Sequence, residues 1–302
     1  MTTATTSPFG RVLTAMVTPF HDDGRVDVET AAALATHLVE SGNDGLVISG
    51  TTGESPTVDP DEQRDVLSAV VDAVGDRATV LAGAGTNDTE HSLKLARNAA
   101  AAGADGLLVV TPYYSKPTQD GILAHVRAVA DATELGVMLY DIPGRTGVKL
   151  SADTLARAAE HERILAVKEA SGDLYAGSWL LRSTDLAVYS GDDTLNLPWL
   201  AIGATGVVSV VGHVAASRFA DMVAALDKGD LQRAREIDRS VLPLTDVIMS
   251  RAPGVVMVKA ALELLGRLPN RRVRAPHLPA TDEQVAALRS ELVAADLLED
   301  TE

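Results

Sequence analysis

Eight short apolar runs alternate with longer amphipathic stretches, and this alternation limits the fold more than any other feature of the chain. The runs occupy residues 12–17, 45–48, 78–81, 106–110, 137–140, 164–167, 186–189 and 206–210. They are rich in Val, Leu and Ile and are bounded by glycine, proline or polar residues, as strands buried on both faces of a parallel sheet are. The stretches between them carry the helical period. Residues 60–74 place Val66, Leu67, Val70, Val71 and Val74 on one face, with Pro60 and Asp61 opening the helix. Residues 88–102 and 118–130 repeat the pattern, and Ser151 suits the N-cap of the helix after it. Eight strands, each followed by a helix, predict an α/β fold of the TIM (β/α)8 type. A doubly wound open sheet is the competing reading, and the count of eight disfavours it.

The strand signal stops near Lys228. Residues 230–247, 254–265 and 282–297 read as helices, so the expected organisation is a catalytic barrel over 9–228 and a C-terminal helical appendage over 229–302. Residues 1–8 are expected to form a short disordered lead-in without secretory features. No apolar run is long enough to cross a bilayer. The formal net charge of −16 argues against nucleic acid or an anionic membrane as partner, because phosphate binding needs a basic face. The chain has no cysteine, which removes thiolate catalysis and cysteine metal sites and makes the cytoplasm the expected location.

In a barrel of this type the chemistry sits at the C-terminal ends of the strands. The segments expected there are Gly50-Thr51-Thr52-Gly53-Glu54-Ser55, Thr111-Pro112-Tyr113-Tyr114, the stretch from Tyr140 to Gly147, Lys168-Glu169-Ala170-Ser171-Gly172 and Ser190-Gly191-Asp192-Asp193. Lys168 follows the apolar run Ile164-Leu165-Ala166-Val167. Burial there would lower the pKa of its amine, and a neutral amine can attack a carbonyl to form an imine. A lysine that caps a strand and pairs with Glu169 is the plainer alternative, and strand position alone favours it. The Gly-flanked Thr51-Thr52 pair offers a nest of backbone N–H groups and two hydroxyls for a carboxylate, or is an ordinary loop. Of five tyrosines, Tyr113, Tyr114 and Tyr140 fall at the expected mouth, where a phenol can relay a proton or merely anchor a loop. Arg145 can grip a carboxylate through two parallel hydrogen bonds, or form a surface salt bridge.

Other chemistries lack their motifs. The seven histidines have no metal-ligand spacing, and His21-Asp22-Asp23-Gly24 is turn chemistry. Gly83-Ala84-Gly85 lacks the third glycine of a dinucleotide fingerprint. A metal-dependent barrel enzyme and a non-catalytic barrel are the readings from other classes. The first would lose activity to a chelator and tolerate loss of Lys168.

In their order and spacing these anchors resemble the dihydrodipicolinate synthase/N-acetylneuraminate lyase family, and the likeness runs from Thr14 to about Gly266. The resemblance implies that Lys168 forms an imine with pyruvate and that Thr51, Tyr140 and Tyr114 form a proton relay. It implies that Thr52 binds the pyruvate carboxylate, with Gly191 and Val208 beside the keto acid. Tyr114 would reach the site of a neighbouring subunit, so a homotetramer built as a dimer of tight dimers is expected. No cofactor or metal is expected, because the protonated imine is itself the electron sink.

Arg145 selects within the family. The Tyr-x-x-Pro-x-Arg pattern is similar to the synthase branch, where the arginine holds the carboxylate of L-aspartate-4-semialdehyde; sugar-acid aldolases generally lack it. The implied reaction joins pyruvate to that aldehyde on the route to diaminopimelate and lysine. Asp141 stands where many members carry asparagine, with little expected effect on the imine. Lysine-inhibited members often have histidines at the positions of Pro60 and Gln63 and a glutamate at that of His91, while Asn87 and Tyr113 are retained. Weak or absent feedback by lysine is therefore expected, and sub-millimolar inhibition in a steady-state assay would contradict it.

Overall fold

A computed structural model describes residues 7–300. Most of the expected lead-in lies outside the described residues, and within them Pro8 bridges to Gly10. Eight strands form one closed parallel barrel: β1 (Val12–Ala15), β2 (Gly45–Ile48), β3 (Thr79–Gly83), β4 (Gly106–Val110), β5 (Gly136–Asp141), β6 (Ile164–Glu169), β7 (Ala187–Ser190) and β8 (Gly206–Ser209). Each strand pairs with its neighbours in sequence, and β8 closes on β1 through Leu13 and Val208. The TIM barrel expected from the eight apolar runs is therefore the fold.

The helices are α1 (Val28–Glu40), α2 (Pro60–Val74), α3 (Thr89–Ala101), α4 (Gln119–Asp131), the single turn α5 (Pro143–Thr146), α6 (Ala152–Ala158), α7 (Leu174–Ser183), α8 (Asn196–Ala201), α9 (Gly212–Asp227), α10 (Leu231–Met249), α11 (Gly254–Leu264) and α12 (Asp282–Ala294). Side chains set the starts of several. The Asp59 carboxylate accepts from the N–H groups of Asp61 and Glu62, and the Glu62 side chain reaches back to the Asp59 N–H. Such a reciprocal cap stabilises a helix start by about 1 kcal/mol. Asp88, Thr118 and Ser151 cap α3, α4 and α6 through one side-chain oxygen each. Among the described residues no single helix is long and apolar enough to cross a membrane.

Strand alternation divides the core in two. Leu13, Val47, Leu81, Leu108, Met138, Ala166, Ala187 and Val208 fill the barrel interior, with Phe9 and Tyr189. Val12, Leu46, Ile48, Val80, Leu107, Val109, Leu139, Val167, Val188 and Val207 face the helices. The scarcity of aromatics is met by small and branched side chains packed in layers.

Strand ends differ from the apolar runs for identifiable reasons. β1 stops at Ala15 although Met16 and Val17 are buried, because the Val17 N–H leaves the ladder and donates to the His213 ring at 3.1 Å. β8 stops at Ser209 because the Val210 N–H turns to the Asp193 carboxylate at 2.8 Å. β5 and β6 run on through polar residues, since the ladder is a backbone structure. Asp141 stays in register with Glu169, and Lys168 lies inside its strand rather than beyond it.

Candidate active site

Period-two alternation decides which side chains meet. Met138 and Ala166 point into the barrel, so Tyr140 and Lys168, two residues further along β5 and β6, point the same way. The two are register partners, and the Lys168 Nζ stands 4.4 Å from the centroid of the Tyr140 ring. Asp141 and Glu169 have the opposite parity and face the helices. The Glu169 carboxylate is taken up by its own turn, accepting from the N–H groups of Ser171 at 3.0 Å and Gly172 at 3.3 Å and from the Ser171 hydroxyl. It is not the partner of Lys168. Among the described residues Lys168 forms no salt bridge, so the plain strand-cap reading fails on geometry.

Burial leaves Lys168 only 5 % exposed and pulls its pKa from 10.5 down to about 8. Asp193 acts in the opposite direction, and the positive charge of Arg145 adds to the depression. Burial pushes the Tyr140 phenol up to about 12, with the Arg145 charge and the nearby Thr51 hydroxyl opposing. Near neutral pH the pair is thus a partly deprotonated amine beside a fully protonated phenol, which is the combination needed to attack a carbonyl and pass a proton.

Two neighbours fix the lysine. Gly191 follows β7, and a Cβ there would stand 2.8 Å from the Lys168 Cγ, 2.9 Å from its Cε and 3.0 Å from the Glu169 carbonyl oxygen. The lysine stem occupies the space a side chain would need. Asp193, buried, accepts from the N–H groups of Val210 at 2.8 Å and Val211 at 3.0 Å, from the Asn196 amide at 3.0 Å and from the Ser209 hydroxyl. It ties the loop after β7 to the end of β8. Val208, 1 % exposed, belongs to the same inner cluster as Tyr140.

The barrel mouth opens into a cavity of about 790 Å³ whose walls include Thr51, Gln63, Asn87, His91, Tyr113 and Arg145. Lys168 and Tyr140 do not line it. They connect to it through Thr51, whose hydroxyl lies close enough to the Tyr140 phenol to lower its pKa, and through Arg145, whose charge acts on both. Among the described residues Arg145 has no carboxylate partner, so its guanidinium is not spent on a surface salt bridge. Thr52 is buried next to Thr51, and both line a smaller space shared with Arg145, Val210 and His277.

Tyr114 stands apart. Its backbone is left-handed at φ 69°, and its side chain is 88 % exposed and lines none of these cavities. The chain brings together Lys168, Tyr140, Thr51, Thr52, Arg145, Gly191 and Val208, but not Tyr114. The Gln63 amide, one of the positions expected to govern feedback, is already occupied by the Ser55 and Val58 carbonyls. Asp141 faces α6 and α7, where burial raises its carboxyl to about 7 and the Leu150 N–H donates to it. A carboxyl that is about half protonated near neutrality is closer to the neutral asparagine common at this place than an ordinary aspartate is.

Sequence reasoning missed Asp193 as the junction of two loops, Glu54 and Lys259 as a buried pair, and His277 beside Thr52. Asp193 and Glu54 lay within the segments singled out, and Lys259 is the lone charge over residues 254–262 of α11. None has a local pattern that names its partner.

The Dihydrodipicolinate synthetase family matches residues 8–295. A 4-hydroxy-tetrahydrodipicolinate synthase of Kineococcus radiotolerans is 62 % identical over 290 residues, which are 96 % of this chain and 94 % of that protein. One of Acidothermus cellulolyticus is 60 % identical, covering 97 % of this chain and 94 % of the relative. The structure of a DHDPS from Cyanidioschyzon merolae with lysine bound superposes with a TM-score of 0.93 at 42 % identity, covering 97 % of this chain and all of that one.

Proposed function

Because the chain belongs to the dihydrodipicolinate synthetase family, we propose that it condenses pyruvate with L-aspartate-4-semialdehyde, giving 4-hydroxytetrahydrodipicolinate and water. The observation that carries this reading is the buried Lys168 amine, in register with Tyr140 and without a carboxylate partner.

The neutral Lys168 amine attacks the keto carbon of pyruvate and water leaves, forming an imine. Loss of a methyl proton gives an enamine, whose carbon attacks the aldehyde of the second substrate. The amine of that substrate then closes onto the imine carbon and displaces Lys168, so the enzyme is regenerated. Tyr140 and Thr51 relay the protons, and Thr52 with the backbone of its Gly-flanked turn holds the pyruvate carboxylate. Gly191 and Val208 shape the space around the keto acid. The imine nitrogen accepts the electron pair, and no cofactor or metal takes part. The exposure of Tyr114 supports a relay completed between copies in a homotetramer.

Borohydride reduction in the presence of pyruvate, followed by intact mass and peptide mapping, tests the reading. One covalent adduct on Lys168 is expected; no adduct, or one elsewhere, overturns it. Arg145 is assigned to the carboxylate of the aldehyde substrate. Arg145→Ala is expected to raise KM for L-aspartate-4-semialdehyde about 10–100-fold, as loss of a bidentate charged contact does, while pyruvate is still trapped on Lys168. An unmoved KM for the aldehyde would show that its carboxylate is read elsewhere.

A further inference from the structure

The turn that carries Thr51 and Thr52 is not held by the barrel alone. Its last residues are Gly53 and Glu54, and Glu54 is locked in a left-handed backbone at φ 57°, a conformation that costs a residue with a Cβ and needs support. The Glu54 N–H donates to the Thr51 carbonyl at 3.1 Å, so a shift of Glu54 is passed directly to the threonine pair. The Thr18 hydroxyl fixes the Gly53 carbonyl at 2.7 Å. The Glu54 side chain points away from the mouth and into the packing of the C-terminal helices.

There it meets Lys259 of α11, more than two hundred residues along the chain. The Lys259 Nζ donates to Glu54 Oε1 at 2.6 Å and to the Arg272 carbonyl at 2.8 Å, and stands 4.1 Å from the centroid of the Phe20 ring. The other oxygen, Oε2, accepts from the Arg274 backbone N–H at 2.8 Å. Both side chains are fully enclosed, with 1 % of Lys259 and 2 % of Glu54 exposed. The Arg274 guanidinium reaches past them to the Thr57 carbonyl at 2.5 Å and to both Glu62 oxygens at 2.6 Å. One segment of the C-terminal region therefore grips the turn at Glu54 and again where it enters α2.

Stability does not account for such an arrangement. A buried ion pair gains little over an apolar pair of similar volume, because desolvation cancels most of the attraction. What it supplies is direction: a charge-assisted bond at a fixed length, with every remaining lone pair aimed. We infer that the Glu54–Lys259 pair is a positioning device through which helix α11 holds the Thr51–Thr52 turn in the geometry that receives the keto acid carboxylate. Glu54 and Lys259 touch no substrate; they act through the turn. The inference rests on the proposed role of that turn in binding pyruvate.

The test uses the full chain as Lys259→Met, Glu54→Gln and the double variant. Thermal unfolding, borohydride trapping against pyruvate concentration, and separate kcat and KM values are read for each. Lys259→Met leaves a buried carboxylate alone, so its melting temperature falls; in the double variant the lone charge is gone and the melting temperature returns towards that of the parent chain. The pyruvate concentration for half-trapping, and KM for pyruvate, are expected to rise about tenfold in both and to stay raised in the double variant, with kcat at saturation within about threefold. KM for the aldehyde, held by Arg145 on another loop, moves less. A pyruvate KM that returns together with the melting temperature, or never moves, overturns the inference. Should Lys259→Met fail to fold, the double variant carries the same comparison. If the unaltered chain forms no adduct with pyruvate, the proposed function falls and this inference with it. An adduct in the unaltered chain with unmoved affinity in the variants overturns the inference alone.

Discussion

Replacing Lys168 by methionine will abolish the pyruvate adduct and turnover, and will make the protein harder to unfold near neutral pH. The first half follows from chemistry: without the amine there is no covalent path, and a fall in kcat of about 10⁴-fold or more is expected for loss of a nucleophile. The second half follows from burial. The folded amine titrates at about 8 and the unfolded one at 10.5, so folding must strip a proton or bury a charge. The gap of 2.5 between those two values corresponds to about 3 kcal/mol against folding at most. This cost is present in full below about pH 8 and fades as pH rises towards 10.5, because the unfolded lysine then loses its proton as well. Methionine has a similar length and no charge, and gives up only the contact with the Tyr140 ring. Thermal unfolding of both proteins near pH 7 and near pH 10 checks the expectation: a clear gain at the lower pH that shrinks at the higher. A melting temperature that falls near pH 7, or a difference that ignores pH, would show that the amine is not destabilised by its site. The same titration predicts that adduct formation by the unaltered enzyme speeds up as pH rises through about 8.

Asp193→Ala is expected to be the most damaging substitution for the fold at the barrel mouth. Among the described residues its carboxylate is the sole partner of two successive backbone N–H groups, those of Val210 and Val211, and it also receives the Asn196 amide and the Ser209 hydroxyl. Alanine leaves these donors without acceptors, and those on Val211, Asn196 and Ser209 are buried. Loss of a multiply bonded buried charge costs about 3–5 kcal/mol. Urea unfolding measures it, and a loss below about 1 kcal/mol would mean that the donors find other partners. Whatever protein remains folded also lacks the negative charge that holds the Lys168 pKa up, so the rise of adduct formation with pH should move to lower pH.

How far the sequence could be read follows from the range of the forces involved. The eight strands are legible because both faces of each are buried and their composition says so locally. Their ends are less so, since a ladder runs on wherever backbone groups still face each other, as at Lys168 and Asp141, and stops where a side chain captures an N–H, as His213 does at Val17. Lys168, Tyr140, Thr51 and Arg145 could be singled out because each lies at the end of, or just beyond, an apolar run whose position was clear. The support beneath them was not legible. Asp193 binds residues 16 to 18 positions away and Glu54 binds one 205 away, and nothing in either neighbourhood encodes the partner. Those pairings exist only once the barrel has closed and α11 has docked.

The in–out alternation of β5 from Met138 and of β6 from Ala166, beyond the register shift at Leu165, bears on which kinds of genetic change this protein can survive. Substitutions at single positions alter one side chain and leave the rest of the strand in phase. Removal or addition of one codon between 166 and 168, beyond the unpaired Leu165, would rotate everything after it by half a turn. The carboxylate of Glu169 would then face the interior and the amine of Lys168 the helices. Length variation among descendants of this chain should therefore collect in the connections between elements and stay out of β6. A reading-frame-preserving insertion scan should show a gap there sharper than any found by exchanging residues one at a time.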